Sequence, residues 1–237
     1  MIITALLKNV ARKARSRAER IWYAGDSVTC NICQRSSRTW LYGRYAGRCP
    51  GCRCATRTRV LWWYLTREVK LGEKQTLHFA PEVPLEANLR RSHLRRYVTA
   101  DFRNPKADLQ VDIQALPFAD GAFDLVLCSH VLEHIRDDRL AMRELRRVCS
   151  PGGSVLIMVP QSDATKTRED LSELSPEIRK ERFGEIDHLR EYGQDLGELL
   201  TSAGFTVVTF EPADSISPAA RLRHGLADNQ TIFVCSR

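Results

Sequence analysis

The sequence predicts an α/β fold with a doubly wound, mainly parallel sheet, preceded by a small cysteine-rich module. Apolar runs bounded by turn residues predict buried strands at Phe123–Cys128 and Ser154–Val159. Between them, apolar residues recur at helical spacing over Leu140–Val148. A strand, helix and strand joined in this way form a parallel unit that is almost always right-handed. Two Cys-x-x-Cys pairs precede all of these elements.

The first segment, residues 1–24, is predicted to be a basic amphipathic helix. Its apolar residues include Ile3, Leu6 and Val10, and six Lys or Arg side chains lie within the first 20 residues. Such a helix can lie on an anionic membrane surface or against an acidic partner. The alternative is a helix that packs on its own protein or frays at the terminus.

The next segment, residues 25–59, is predicted to be a four-cysteine zinc ribbon. Cys30 and Cys33 form one pair, and Cys49 and Cys52 form the second pair 15 residues later. Two such turns present four thiolates to one tetrahedral ion, so the predicted zinc is structural. Cys54 lies close by and could compete, but Cys52 completes the two-residue spacing.

Basic and aromatic residues alternate along the ribbon, which has two interpretations. A platform for single-stranded RNA uses such side chains. Alternatively, the aromatic residues form the core of a very small module and the arginines solvate its surface. The set comprises Arg35, Arg38, Arg44, Arg48, Arg53, Arg57, Arg59, Trp40, Tyr42 and Tyr45.

Charge is divided unevenly along the 237 residues. The formal net charge is +7, and residues 1–20 contribute +5 and residues 21–70 contribute +7, which leaves −5 for the remainder. The larger part of the chain therefore carries no general attraction for nucleic acid. No apolar run approaches the roughly 20 residues that span a bilayer, so a cytoplasmic location is predicted.

Acidic residues follow two successive predicted strands. Tyr97–Ala100 is followed by Asp101, and Leu109–Val111 is followed by Asp112. An acid at the end of the second strand of such a sheet accepts hydrogen bonds from a ribose diol. The alternative is a helix cap or a turn aspartate. Ser129 and His130 follow the fourth strand and are predicted to lie at the same edge.

Four linked motifs carry a resemblance to a known family. They are D-I-Q-A-L-P-F at 112–118, F-D-L-V at 123–126, L-E-H-I-R-D at 132–137 and R-V-C-S-P-G-G at 147–153. In this order they resemble the class I S-adenosylmethionine (SAM) dependent methyltransferases. The resemblance implies a Rossmann-like doubly wound sheet of seven strands, with the antiparallel last strand at Thr231–Cys235.

The resemblance also implies a cofactor site. Asp112 would lie near the adenine amino group. The family's glycine-rich loop would fall at Ala80, Glu82 and Pro84, which is a departure from its usual pattern. L-H-F-A-P-E instead resembles a variant found with a preceding cysteine ribbon. In that variant the small Ala80 allows close approach, and Glu82 could pair with the ammonium group of SAM.

Residues 161–191 interrupt the alternation of strands and helices where related enzymes insert a substrate cap. Asp187-His188-x-Arg190-x-Tyr192 closes this insertion. His188 is the first candidate for a general base, and His134 and His130 follow it because they lie after the fourth strand. Arg190 and Tyr192 are candidate substrate-binding residues. The alternative is a helix-capping cluster.

These patterns predict a methyltransferase domain over residues 60–237 that acts on a small-molecule, sugar or lipid-linked acceptor. One alternative is an RNA methyltransferase guided by the arginine-rich ribbon. Another is a non-catalytic SAM-binding or scaffold protein, which the altered glycine loop allows. A nicotinamide-dependent oxidoreductase is disfavoured because the chain contains no G-x-G-x-x-G turn.

Overall fold

The structure is a computed structural model that describes residues 21–43 and 47–237. Most of the predicted amphipathic helix therefore lies outside the described residues, as do Arg44 and Tyr45. The chain divides into two compact units. The first runs to Val69 and takes in Glu82–Asn88 and Pro212–Gln230; the second comprises Lys70–Pro81, Leu89–Glu211 and Thr231–Arg237. This division differs from the predicted boundary after residue 59, because later segments fold with the cysteine-rich module.

The described residues form short strands and helices throughout. The strands are β1 (Val28–Thr29), β2 (Ser36–Ser37), β3 (Gln75–Phe79), β4 (Arg96–Asp101), β5 (Leu109–Gln110), β6 (Phe123–Ser129), β7 (Cys149–Met158), β8 (Arg168–Glu169), β9 (Arg190–Glu191), β10 (Thr206–Phe210) and β11 (Ile232–Ser236). The α-helices are α1 (Thr56–Arg67), α2 (Val83–Leu89), α3 (Asp138–Val148), α4 (Pro176–Phe183), α5 (Leu196–Ser202), α6 (Pro212–Ser215) and α7 (Pro218–His224), and Leu132–His134 is a 3-10 helix. In this part of the chain, no helix has the length and apolar character needed to cross a membrane.

The second unit is built on a seven-stranded sheet in the order β10–β11–β7–β6–β3–β4–β5. The pairs from β7 to β5 are parallel, and β11 is antiparallel to both of its neighbours. The predicted Rossmann-like sheet and its antiparallel last strand are thus confirmed. Val126 pairs with Val155 in the centre of the sheet, and both are buried. Such strands are apolar along their length because helices or other elements cover both faces.

The order of the strands reverses at β3. The chain passes from β3 to β4 and β5 on one side, and then returns to place β6 on the other side of β3. Open α/β sheets bind ligands outside the carboxyl ends of the strands at such a reversal. The topology therefore places a ligand crevice beyond Phe79 and Ser129.

Helix α3 connects β6 to β7. Asp137 caps it by accepting a hydrogen bond from the Leu140 amide at 2.8 Å, and its apolar face is buried. Strand β7 begins directly after α3, earlier than the predicted Ser154, because Cys149 already pairs with Phe123. The register between β6 and β7 shifts after that pair. Gly153 suits this irregularity, since a Cβ there would approach the Asp124 carbonyl oxygen to 3.0 Å.

Arg147 of the R-V-C-S-P-G-G motif binds the preceding L-P-F segment by hydrogen bonds. Its guanidinium donates to the carbonyl oxygens of Leu116 and Phe118 and to the carboxylates of Asp120 and Glu144. The hydrogen bond from Arg147 lowers the pKa of Glu144. These two motifs therefore stabilise the segment between β5 and β6, which lies next to Asp112.

Candidate functional site

A cleft of about 490 Å³ lies beyond the carboxyl ends of β3, β4 and β6 within the second unit. It brings together five of the predicted site residues: Ala80, Asp101, Asp112, His130 and His134. It does not include Ser129, His188, Arg190 or Tyr192 among its lining residues.

Asp101 ends β4 and is held in a fixed orientation. Its Oδ1 accepts the backbone amides of Arg103 at 2.7 Å and Asn104 at 2.8 Å. Within the described chain, no hydrogen bond is made by Oδ2. The turn interpretation and the ligand interpretation are therefore compatible, because one oxygen orients the side chain and the other remains available in the cleft.

Asp112 is the second carboxylate of the cleft, and Gln114 contacts it closely. The Gln114 amide donates to Oδ1 at 2.9 Å, and the Gln114 side chain lies 3.1 Å from both carboxylate oxygens. Gln114 also accepts a hydrogen bond from the Asp137 amide at 3.0 Å. Gln114 therefore links Asp112 to the start of α3 and itself lines the cleft.

Ala80 follows β3 in the left-handed region, with a φ of 45°, and its amide donates to the Ala100 carbonyl at 2.8 Å. Few residues other than glycine adopt this conformation, which is compatible with the expectation that Ala80 takes a position of the family's glycine-rich loop. Glu82 belongs to the first unit, where its carboxylate lies 3.3 Å from Arg57 Nε. Its role toward the ammonium group of SAM stays a prediction.

The loop after β6 presents His130 to the cleft. His130 has a φ of 55°, and its amide donates to the Met158 carbonyl at 2.8 Å, which fixes the loop against β7. Its Nδ1 lies 3.3 Å from Glu133 Oε1. Ser129 ends β6, and its hydroxyl is buried with no hydrogen-bond partner among the described residues. Its predicted cofactor contact stays a prediction.

His134 and His188 lie against each other behind this loop. Their ring centroids are 4.8 Å apart with an interplanar angle of 78°. His134 Nδ1 lies 3.3 Å from the Asp187 carbonyl oxygen and 3.4 Å from its carboxylate, and Asp187 also lines the cleft. His188 is buried, and its Nδ1 lies 3.0 Å from the Phe183 carbonyl. The insertion therefore closes one wall of the cleft, with His188 in the layer behind it.

Arg190 and Tyr192 have partners inside the protein. The Arg190 guanidinium is buried and donates to Glu169 and to the backbone carbonyls of Leu132, Ile135 and Arg136. The Tyr192 hydroxyl donates to Asp138 at 2.6 Å, and burial followed by the Asp138 charge raises its pKa. These contacts favour a structural role for both residues, in which Arg190 holds the 132–136 loop and Tyr192 holds the start of α3. Their predicted contact with substrate stays untested.

His78 lies in the middle of β3 and is fully buried. Its Nδ1 lies 2.7 Å from the Tyr97 hydroxyl. Burial lowers the pKa of His78 to about 3. The ring therefore lies in the sheet as a neutral structural group.

The depressed pKa of His78 predicts a loss of stability in acid. Below about pH 6.5 the unfolded chain binds a proton that the folded ring does not bind until about pH 3. Stability therefore falls as the pH falls through this window, by about 1.4 kcal/mol per pH unit from this group. We expect chemical denaturation of His78→Gln to show a shallower acid dependence than the wild type, despite lower stability at pH 7. Equal slopes in the two proteins would contradict this account.

In the first unit, the four predicted zinc cysteines come together. One sulfur atom of each of Cys30, Cys33, Cys49 and Cys52 lies within 4.8 Å of the others. The Cys30–Cys52 and Cys33–Cys49 sulfur distances are 3.8 and 3.7 Å. Cys54 also lies close, with its sulfur 3.5 Å from that of Cys30.

The basic and aromatic residues of the ribbon separate into buried and exposed groups. Arg59 is fully buried, donates to the carbonyls of Gly47, Cys54 and Gly225, and lies 4.0 Å from the ring centre of Trp40. Trp40 is buried as well, whereas Tyr42 is exposed. Trp40 therefore belongs to the core of the first unit, as the second interpretation of the ribbon expects, whereas Arg59 is buried beside it and does not solvate the surface as that interpretation expects.

Several cleft residues were not singled out from the sequence. Phe102 is an exposed aromatic side chain directly after Asp101, and Ile113 follows Asp112. Gln114 and Arg136 also line the cleft. The position of Phe102 and Ile113 immediately after strand-end acids was the available signal. The sequence contains no comparable signal for Arg136, because the orientation of its side chain depends on the contacts of the loop of residues 132–136.

Residues 87–157 match the model of a family described as "Methyltransferase domain". This range includes β4 to β7, and it contains both strand-end carboxylates and the L-E-H segment. Over this range the chain is similar to that methyltransferase family.

Curated relatives of the chain are matched over part of their length. The chain is 35% identical over 118 residues to a malonyl-[acyl-carrier protein] O-methyltransferase from Erwinia pyrifoliae, covering 46% of this chain and 42% of that protein. Other curated relatives are also matched over less than half of their length.

Solved structures with this fold include two with different named activities. A 1,6-didemethyltoxoflavin-N1-methyltransferase from Burkholderia thailandensis, solved with S-adenosylhomocysteine, is 17% identical at a TM-score of 0.50, covering 76% of this chain and 74% of that one. The cyclase SpnF is 17% identical at a TM-score of 0.54, covering 76% of this chain and 81% of that one. At this identity the likeness establishes the fold of the domain, and the chemistry has to be argued from the site.

Proposed function

We propose that the chain transfers a methyl group from SAM to a small-molecule, sugar or lipid-linked acceptor. The observation that carries this proposal is the pair of carboxylates, Asp101 and Asp112, that follow adjacent strands and line one cleft. In this arrangement Asp101 would bind the ribose diol and Asp112 the adenine amino group. Phe102 and Ile113 offer apolar surface for the adenine ring between them.

The sulfonium of SAM makes the methyl group electrophilic, so the protein mainly positions and desolvates the reactants. Ala80 would allow close approach of the cofactor, because its side chain is a single methyl group. A base is required when the nucleophile carries a proton that it does not lose to water. His130 and His134 line the cleft and are the nearest candidates, and His188 lies behind them.

The curated relative methylates malonyl-[acyl-carrier protein] according to its name, and one structural neighbour is named for a toxoflavin precursor. Both names support acceptors that are not nucleic acids. The net charge of −5 over residues 71–237 supports the same class. The burial of Trp40 and Arg59 removes two members of the suggested RNA platform.

The first test is calorimetric titration of the purified chain with S-adenosylhomocysteine. We expect one site per chain, followed by transfer of labelled methyl groups from SAM to at least one member of a panel of hydroxyl, amine and carboxylate acceptors. Binding without transfer to any acceptor would favour a SAM-binding scaffold, and absence of binding would contradict the proposal. A His188→Ala protein that binds SAM and turns over normally would remove His188 from the candidate bases.

We also propose that the first unit holds one structural zinc ion on Cys30, Cys33, Cys49 and Cys52. A tetrahedral ion with Zn–S bonds of about 2.3 Å separates its sulfurs by about 3.8 Å, which the measured distances match. The amides of Gly51 and Cys52 lie 3.2 and 3.5 Å from the Cys49 sulfur and would stabilise its thiolate. A cytoplasmic location and a contact of residues 1–24 with a membrane or an acidic partner stay predictions.

A further inference from the structure

Glu133 is a buried carboxylate without hydrogen bonds. The residue is 1% exposed, and neither of its carboxylate oxygens has a hydrogen-bond partner among the described residues. Its nearest polar neighbour is His130 Nδ1, at 3.3 Å from Oε1. A buried carboxylate in this state is costly unless a cation compensates it. A cation beside Glu133 would offset this cost.

Two imidazoles face Glu133 in orientations that suit metal binding. His134, His188 and Glu133 each offer a ligand atom, and these atoms lie within 4.8 Å of one another. His188 Nδ1 lies 3.0 Å from the Phe183 carbonyl, which can only accept, so Nδ1 carries the proton and Nε2 carries the lone pair. His134 Nδ1 faces the carbonyl and carboxylate of Asp187 in the same way.

This is the arrangement by which proteins orient histidine ligands. A ligating histidine usually donates its other ring N–H to a carbonyl or a carboxylate, which fixes the ring and its tautomer. Phe183 does this for His188, and Asp187 does it for His134. Two imidazoles and one carboxylate form a ligand set found at catalytic zinc and at other divalent first-row metal sites.

We propose that Glu133, His134 and His188 bind a divalent first-row metal ion at the wall of the cleft. His134 and Asp187 also line the cleft, so the fourth ligand position has access to bound substrate. Three protein ligands with an open position are typical of a catalytic metal rather than a structural one. This site is separate from the four cysteines, which belong to the other unit.

The metal site restricts the chemical class of the methyl acceptor. This inference rests on the proposed methyl transfer. A divalent ion coordinates an oxygen of the acceptor and lowers the pKa of a hydroxyl by charge stabilisation. The hydroxyl proton leaves to water, the oxygen forms a bond to the methyl carbon, and the methyl–sulfur bond electrons remain on sulfur. The favoured acceptor therefore carries a hydroxyl group, with a second oxygen atom nearby that coordinates the same metal ion.

The test uses Mn²⁺, because this ion prefers nitrogen and oxygen ligands to thiolates and so discriminates against the cysteine cluster. The full chain is dialysed against a chelator to empty weak sites and titrated with Mn²⁺ while the electron paramagnetic resonance signal of the free ion is followed. We expect one equivalent to bind. Glu133→Gln and His188→Asn should each weaken Mn²⁺ binding by at least about tenfold.

The matched control is His93→Asn. His93 is exposed and has a φ of 47°, a conformation that asparagine also adopts readily, so the fold should be kept and Mn²⁺ binding should be unchanged. Thermal unfolding checks the Glu133→Gln variant. Without metal it should unfold at a temperature no lower than the wild type, because the substitution removes an unsatisfied buried charge. Mn²⁺ should raise the unfolding temperature of the wild type and of His93→Asn, but not that of Glu133→Gln.

Failure of Mn²⁺ uptake by the wild type would overturn the metal site. Equal Mn²⁺ binding by all variants would overturn it too. Titration with S-adenosylhomocysteine separates the two proposals. A chain that binds this nucleoside but not Mn²⁺ supports methyl transfer without the metal, and the reverse result supports the metal site without methyl transfer.

Discussion

Asp101→Asn is expected to weaken binding of S-adenosylhomocysteine by about 100-fold, which corresponds to about 2.8 kcal/mol. The asparagine Oδ1 can still accept the amides of Arg103 and Asn104, so the turn after β4 is kept. The amide nitrogen then occupies the position of Oδ2 and presents donors to the ribose diol. Two hydrogen bonds from hydroxyl groups to a charged acceptor are lost, each of which is stronger than its neutral equivalent.

Two further variants show whether the effect is specific. Asp112→Asn should weaken binding less, by about tenfold, because Gln114 already shares that carboxylate and the adenine contact is a single hydrogen bond. Asp120→Asn is the matched control: its side chain is exposed, pairs with Arg147 and lies outside the cleft. It should leave the affinity within about twofold of the wild type, as exposed ion pairs contribute little.

Calorimetry on the three variants and the wild type gives these affinities directly. If Asp101→Asn binds as tightly as Asp120→Asn, the strand-end carboxylate is a turn residue only. The proposed cofactor position then fails as well, because the ribose contact fixes the rest of the cofactor in the cleft. If all three variants lose affinity together, the losses report a folding defect, and the unfolding temperatures of the variants would show it.

The sheet could be predicted because its determinants are local in sequence. Residues 125–128 of β6 are apolar since they are buried on both faces, and turn residues precede the strand. The strand-end positions of Asp101 and Asp112 follow from the parallel topology, which brings every carboxyl end to one edge. Strand β7 begins earlier than the sequence predicts because Cys149 pairs with Phe123, next to an irregularity in the register between β6 and β7. No sequence pattern encodes that pairing.

The contacts around the L-E-H segment could not be predicted in the same way. Arg190 and Tyr192 lie at the end of a polar insertion, yet both are buried. Arg190 binds the loop of residues 132–136, and Tyr192 binds Asp138 at the start of α3. The charge of Glu133 and its lack of hydrogen bonds depend on a fold that brings His134 and His188 together from 54 residues apart along the chain. Burial of a charged side chain is a tertiary property, so sequence pattern alone predicts exposure for such residues.

The boundary between the units illustrates the same limit. The ribbon was predicted as a separate module that ends at residue 59, but Arg59 donates to the carbonyl of Gly225 and Thr56 does so as well. Segment 212–230 therefore completes the first unit from the far end of the chain. Composition shows where a module begins, whereas the segments that complete its core are determined by long-range contacts.

Cys52→Ser is expected to abolish stoichiometric zinc binding, whereas Cys54→Ser should retain one zinc ion per chain. Structural zinc sites contribute roughly 10–16 kcal/mol of binding free energy that also stabilises the fold. Loss of a residue that only hydrogen-bonds to a metal ligand weakens metal affinity by about 10- to 100-fold. Loss of a ligand itself should therefore weaken zinc affinity by at least about 100-fold. Metal analysis after dialysis and competition with a chromophoric chelator measure both quantities.

The pair of variants is informative because Cys54 is the more buried of the two and its sulfur lies even closer to Cys30. The distance to Cys30 alone would therefore favour Cys54, but the four sulfurs that lie within 4.8 Å of one another are those of Cys30, Cys33, Cys49 and Cys52. The backbone argues for Cys52, since its amide and that of Gly51 approach the Cys49 sulfur, as a two-residue turn around one ion requires. The Cys54 carbonyl accepts from the Cys49 amide and from Arg59, which gives Cys54 a packing role. Zinc loss in Cys54→Ser together with retention in Cys52→Ser would reverse this assignment, and the second Cys-x-x-Cys pair would then no longer define the site.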